Sequence, residues 1–72
     1  MEGKIIRISR VNNGVMFLVW FKGREYGRTY TGEKYRNYEL WKDLKVGDKI
    51  DGLSWKDKTR SIIDADSPVY PV

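Results

Sequence analysis

The stretch Phe21–Trp41, FKGREYGRTYTGEKYRNYELW, gathers six aromatic rings (Phe21, Tyr26, Tyr30, Tyr35, Tyr38, Trp41) and five cations (Lys22, Arg24, Arg28, Lys34, Arg36). A core would use the rings without the charges, and a solvated surface would use the charges without the rings. Ring faces stack on planar groups, while ammonium and guanidinium groups neutralise phosphates. The combination suits a ligand that is planar and anionic at once.

Other chemistries have less support. The chain has no histidine and no cysteine, so it lacks the usual base, the usual thiol nucleophile and the usual zinc ligands. Ser9, Ser54, Ser61 and Ser67 have no evident activating partner, and no Walker-type phosphate loop is present. Asp64 and Asp66, two apart, would share a face of a strand and could approach a Mg²⁺ ion. A solvated strand end is the simpler reading. The expectation is a protein that is not an enzyme and needs no metal or cofactor.

Seventy-two residues make a single domain, 1–72. A chain of this length buries only about 60% of the surface that its unfolded form exposes. Without disulfides, stability must come from packing and from a closed hydrogen-bond ladder. The net charge of +4 is unevenly spread. Residues 1–42 carry nine Lys/Arg against four Glu, and residues 43–72 carry five Lys/Arg against six Asp. The basic part is the aromatic part, which favours a polyanionic partner. The longest apolar run, Val15–Phe21, is too short to span a bilayer, and MEGKIIRIS lacks a secretory pattern. A cytoplasmic protein without a membrane partner is therefore expected.

The elements that must position these side chains read mainly as strands. Lys4–Val11 is rich in β-branched residues. Asn12-Asn13-Gly14 is a hairpin signal. Val15–Lys22 is apolar on both faces, with Val15, Phe17, Val19 and Phe21 on one and Met16, Leu18 and Trp20 on the other. Either both faces are covered, or the second binds something. After Gly23, Arg24–Thr31 gives a third strand, with Tyr26, Arg28 and Tyr30 on one side and Glu25, Gly27 and Thr29 on the other. Gly27 in mid-strand marks a bend or a close backbone approach. Tyr38, Trp41 and Leu44 at helical spacing predict a short helix over Asn37–Leu44, and a strand through Tyr35–Trp41 competes with it. LKVGDKI (44–50) turns at Gly47-Asp48 into a fourth strand, where a bulge at Gly52 would bring Ile50, Leu53 and Trp55 onto one face. Arg60–Asp66 is the predicted last strand, before Pro68 and Pro71 end regular structure.

The order strand, strand, strand, short helix, strand, strand predicts an all-β fold, a small five-stranded barrel with its helix between strands three and four. By this order, with Gly3-Lys4-Ile5-Ile6, the Asn13-Gly14 hairpin and the LKVGDKI turn, the chain resembles small OB-fold single-stranded DNA-binding proteins along nearly its full length. The resemblance implies binding of single-stranded DNA with little sequence preference, on strands two and three and the adjacent loops. It also implies a supporting role in DNA replication or recombination, as in phages and mobile elements. The residues expected to bind are Trp20, Lys22, Arg24, Tyr26, Arg28, Tyr30, Lys34, Tyr35 and Arg36. Trp20 fits either core or binding platform, while Tyr38 and Trp41 fit packing of the helix better. Single-stranded RNA is the rival ligand. An SH3-like protein-interaction or assembly module is the rival function, with Met16, Leu18 and Trp20 covered by a peptide or, in a homodimer, by a second copy.

Overall fold

In the computed structural model, which describes all 72 residues, the chain begins with a long hairpin. β1 (Gly3–Val11) and β2 (Gly14–Trp20) pair antiparallel along their whole length. Asn12 and Asn13 make the turn, and Asn13 takes the left-handed conformation at φ 62°. β3 (Tyr26–Gly32) pairs antiparallel with β2 across all seven residues. β1 turns its other edge to β4 (Lys49–Asp51), through Gly3 and Lys4. β5 (Tyr70–Pro71) pairs antiparallel with β4, giving one sheet in the order β3-β2-β1-β4-β5.

The free edge of β3 is joined back to the chain that follows β4 by an irregular segment, residues 61–63. Ile62 pairs parallel with Arg28 of β3, and Ile63 pairs antiparallel with Trp55. The seam is carried by the Arg28 amide donating to the Ser61 carbonyl (3.0 Å) and the Ile63 amide donating to the Arg28 carbonyl (2.8 Å). The Lys56 amide donating to the Ile62 carbonyl adds a third bond at 2.8 Å. The result is the expected all-β, barrel-like architecture. Gly27 sits at the seam, where a Cβ would stand 2.7 Å from the Trp55 ring and 2.9 Å from Ile63. The glycine allows the closure that the sequence suggested.

Alternation decides what lies inside. Val15, Phe17, Val19 and Phe21 are buried with Ile5, Ile50, Leu53, Ile63 and Val69. Met16, Leu18 and Trp20 stay on the outside. Trp41 fills the end of the core, fully buried, with its ring centroid 5.4 Å from that of Phe17. Trp55 packs on Phe21 at 4.7 Å.

Three boundaries differ from the sequence expectation. The helix α1 is a single turn, Tyr38–Trp41, rather than 37–44. Asn37 gives its side-chain amide to the Asp66 carbonyl instead of capping the helix, and Asp43 lies where the helix dipole disfavours an acid. Arg60–Asp66 is not a regular strand. Arg60 turns left-handed at φ 57°, and the Asp64 carboxylate accepts the Asp66 amide at 3.0 Å, so only Ile62 and Ile63 form β-bridges. The last strand is Tyr70–Pro71, where Pro71 occupies a sheet edge and its missing N–H costs no ladder bond. No helix is long and apolar enough to cross a membrane.

Candidate nucleic-acid interface

The outer face of β1, β2 and β3 is ordered by register. Lys4, Trp20 and Tyr26 form one cross-strand row. Arg7, Leu18 and Arg28 form the next, and Ser9, Met16 and Tyr30 the third. Strict alternation along β1 would turn Arg7 inward. A bulge between Ile5 and Arg7 shifts the register, so Ile5 is buried, Arg7 faces outward opposite Leu18, and Ile8 packs against the core.

One end of this face is aromatic. The Trp20 and Tyr26 rings lie 5.2 Å apart and are tilted by 46°. Tyr26 is 57% exposed, so its ring is available to a ligand. Lys22 and Arg24 project from the exposed turn that follows β2. Lys4, Lys22 and Lys49 share a depression beside Trp20, with Glu2 as its only acid.

At the other end, Tyr30 is half-buried. Its ring lies over Gly14 and Gly32, where a Cβ at Gly14 would stand 2.5 Å from the phenol, and its hydroxyl donates to the Asn13 carbonyl at 3.3 Å. Tyr30 is therefore partly a structural ring, and Gly14 serves it by leaving room. Tyr35 meets Tyr30 edge-on at 6.3 Å, and the Lys34 ammonium lies 5.9 Å from the Tyr35 centroid. Lys34 and Arg36 line a separate shallow depression beyond Tyr35, with Asp66.

Between the two ends lies a concavity of about 530 Å³ with an aliphatic floor of Met16 and Leu18. Arg7 and Ser9 stand on one side of it, and Arg28, Tyr26 and Ser61 on the other. Ser61 belongs to the loop that joins Trp55 to Ile62. Asp57 organises that loop, its carboxylate accepting the Ser61 amide (3.1 Å), the Ile62 amide (2.9 Å), the Ser61 hydroxyl (2.6 Å) and the Thr59 hydroxyl. Hydrogen bonds from Ser61 and Thr59, then from Ile62, hold the Asp57 carboxyl well below the usual carboxylate range.

The charge arrangement is one-sided. The only side-chain ion pair in the molecule joins Lys42 to Glu39 at 2.6 Å, away from this face. The other bridge joins the N-terminal amine to Asp51. Lys4, Arg7, Lys22, Arg24, Arg28, Lys34 and Arg36 thus have no carboxylate within 4.0 Å.

Of the nine residues expected from the sequence, Trp20, Tyr26, Arg28 and Tyr30 share the outer face. Lys22 and Arg24 extend it at the Trp20 end, and Tyr35 extends it beyond Tyr30. Lys34 and Arg36 sit further out. The sequence reading overlooked the whole contribution of β1. Lys4, Arg7 and Ser9 are not among the residues expected to bind. The signal was present in Ile5-Ile6 followed by Ile8, a break in alternation that marks the bulge. Asp64 and Asp66 close a turn by the hydrogen bond described above, and no cluster of three or more acidic side chains is present. Comparison of the chain with protein-family models, curated proteins and solved structures gives no match.

Proposed function

We propose that this protein binds single-stranded DNA with little sequence preference, through stacking on Trp20 and Tyr26 and phosphate contacts from the surrounding Lys and Arg. The observation that carries this reading is one sheet face on which the exposed Tyr26 ring and the half-buried Trp20 and Tyr30 rings alternate with cations that no carboxylate neutralises. Unpaired cations beside free ring faces are what a strand needs, because its bases and phosphates alternate too. The sheet, bridged from β3 by residues 62 and 63 and with its helix between β3 and β4, supports the OB-fold resemblance, in which ligands lie across strands two and three. The chemistry would be protection and organisation of a strand, in the manner of small replication and recombination proteins. RNA would need contacts to the 2′-hydroxyl to be preferred.

The direct test is a titration of an oligothymidine at low salt, followed by tryptophan fluorescence. Trp41 is buried and Trp55 packs against the core, so Trp20 is the reporter. Quenching that disappears in a Trp20→Phe variant, with the binding itself still detectable by anisotropy, is the expected result. Absence of binding at low salt would end this reading.

A further inference from the structure

We infer that the concavity between the two aromatic ends takes one base of the bound strand and prefers guanine there. The inference rests on the strand-binding reading of this face and adds a position at which that binding is selective.

The lining is apolar at Met16, Phe17 and Leu18, with Tyr26 at one wall, so it offers a surface against which a base can lie. Its volume of about 530 Å³ accommodates a purine. The rim decides the selectivity. Arg7 and Arg28 stand on opposite sides of Leu18 in one cross-strand row, and neither is tied to a carboxylate. Each guanidinium is a planar fork of donors with no acceptor. Ser61 is engaged within its own loop, giving its hydroxyl proton to Asp57 at 2.6 Å with the Thr59 hydroxyl at 2.9 Å. No carboxylate or carboxamide side chain lines the concavity.

Base edges differ in what they ask of such a rim. Adenine is read by the paired donor and acceptor of Asn or Gln, and the cytosine amino group is read by Asp or Glu. Guanine presents two adjacent acceptors, O6 and N7, which match an arginine fork. Of these pairings the two arginines carry the one for guanine, while the Ser9 and Tyr26 hydroxyls, which donate and accept alike, favour no base. Arginines that held phosphates alone would weaken or strengthen every sequence equally.

The test compares oligothymidines of equal length that carry one central guanine, adenine or 7-deazaguanine, which lacks the N7 acceptor. The guanine oligomer is expected to bind about fivefold or more tightly than the adenine one, the low end of what a bidentate arginine–base pair supplies. The 7-deazaguanine oligomer should lose most of that advantage. Arg7→Met or Arg28→Met should collapse the guanine-to-adenine ratio in at least one variant, beyond any loss of affinity common to all the oligomers. Thermal unfolding of both variants guards against a folding defect in either. Equal affinities for all three oligomers, or a guanine advantage unchanged in both variants, would overturn the inference while leaving strand binding intact. Failure of every oligomer to bind would remove the strand-binding reading itself, and this inference with it.

Discussion

Two rings show how burial separates function from stability at the residue scale. Tyr26 is 57% exposed and Phe17 is 2% exposed, on adjacent paired strands. Tyr26→Ala is expected to lower oligonucleotide affinity by about 1–3 kcal/mol, the worth of a stacked base, with little change in melting temperature. Phe17→Ala should lower stability by about 3–5 kcal/mol, as buried aromatic truncations do. Calorimetry and binding titrations on both variants check the pair. A large stability loss from Tyr26→Ala would place that ring in a structural role. Tyr30, expected from the sequence as a binding residue, also has a structural part. Its ring covers Gly14 and Gly32, so Tyr30→Ala should lower both affinity and melting temperature.

At the element scale, the closure of the sheet depends on one position and one loop. Gly27→Ala would push a methyl group to 2.7 Å from Trp55 and 2.9 Å from Ile63. Overpacking of this kind costs about 1–3 kcal/mol, and here it would strain the seam that places Ser61 beside Arg28. Denaturant unfolding of Gly27→Ala should show that loss, and unchanged stability would mean the seam has slack. The loop after Trp55 depends on the Asp57 carboxylate. Its pKa is depressed in the folded state, so the unfolded chain takes up the proton first as pH falls. The stability it contributes is complete above the ordinary aspartate value of about 3.9 and is lost as pH drops below it toward the folded value. Asp57→Asn should flatten that part of the stability–pH curve, and an unaltered curve would show that other carboxylates govern it.

The same elements show what was legible in the sequence. The inward and outward sets of β2 and β3 followed from period-two alternation, because one face had to be dry. Gly27 was readable as a close approach, whereas Gly52, expected as a bulge within the fourth strand, lies just past the end of β4 and turns the chain at φ 90°. The bulge that brings Arg7 onto the face was harder to see, since a register shift depends on the partner strand. The irregular seam at 61–63 was misread as a full strand because Ile63 and Ala65 alternate correctly, while the turns on either side are set by Asp57 and Asp64. Pro68 and Pro71 hid the short β5, since proline argues against a strand except at an edge.

For the whole molecule, charge distribution matters more than net charge. The chain carries 14 Lys/Arg, and only Lys42 has a carboxylate side-chain partner, so the remaining cations are available to an anionic ligand. Those around Trp20, Leu18 and Tyr26 border the stacking rings. Binding driven this way releases counterions, and the logarithm of the association constant falls linearly with the logarithm of salt concentration, by about 0.7 for each phosphate neutralised on a single strand. A peptide or a second copy docked on the aliphatic and aromatic side chains of this face would respond weakly to salt. The most direct measurement is therefore oligothymidine affinity across a salt series. A slope of about −2 or steeper, with binding strongest at low salt, is the predicted result. A slope near zero, or no binding at low salt, would contradict the proposed function.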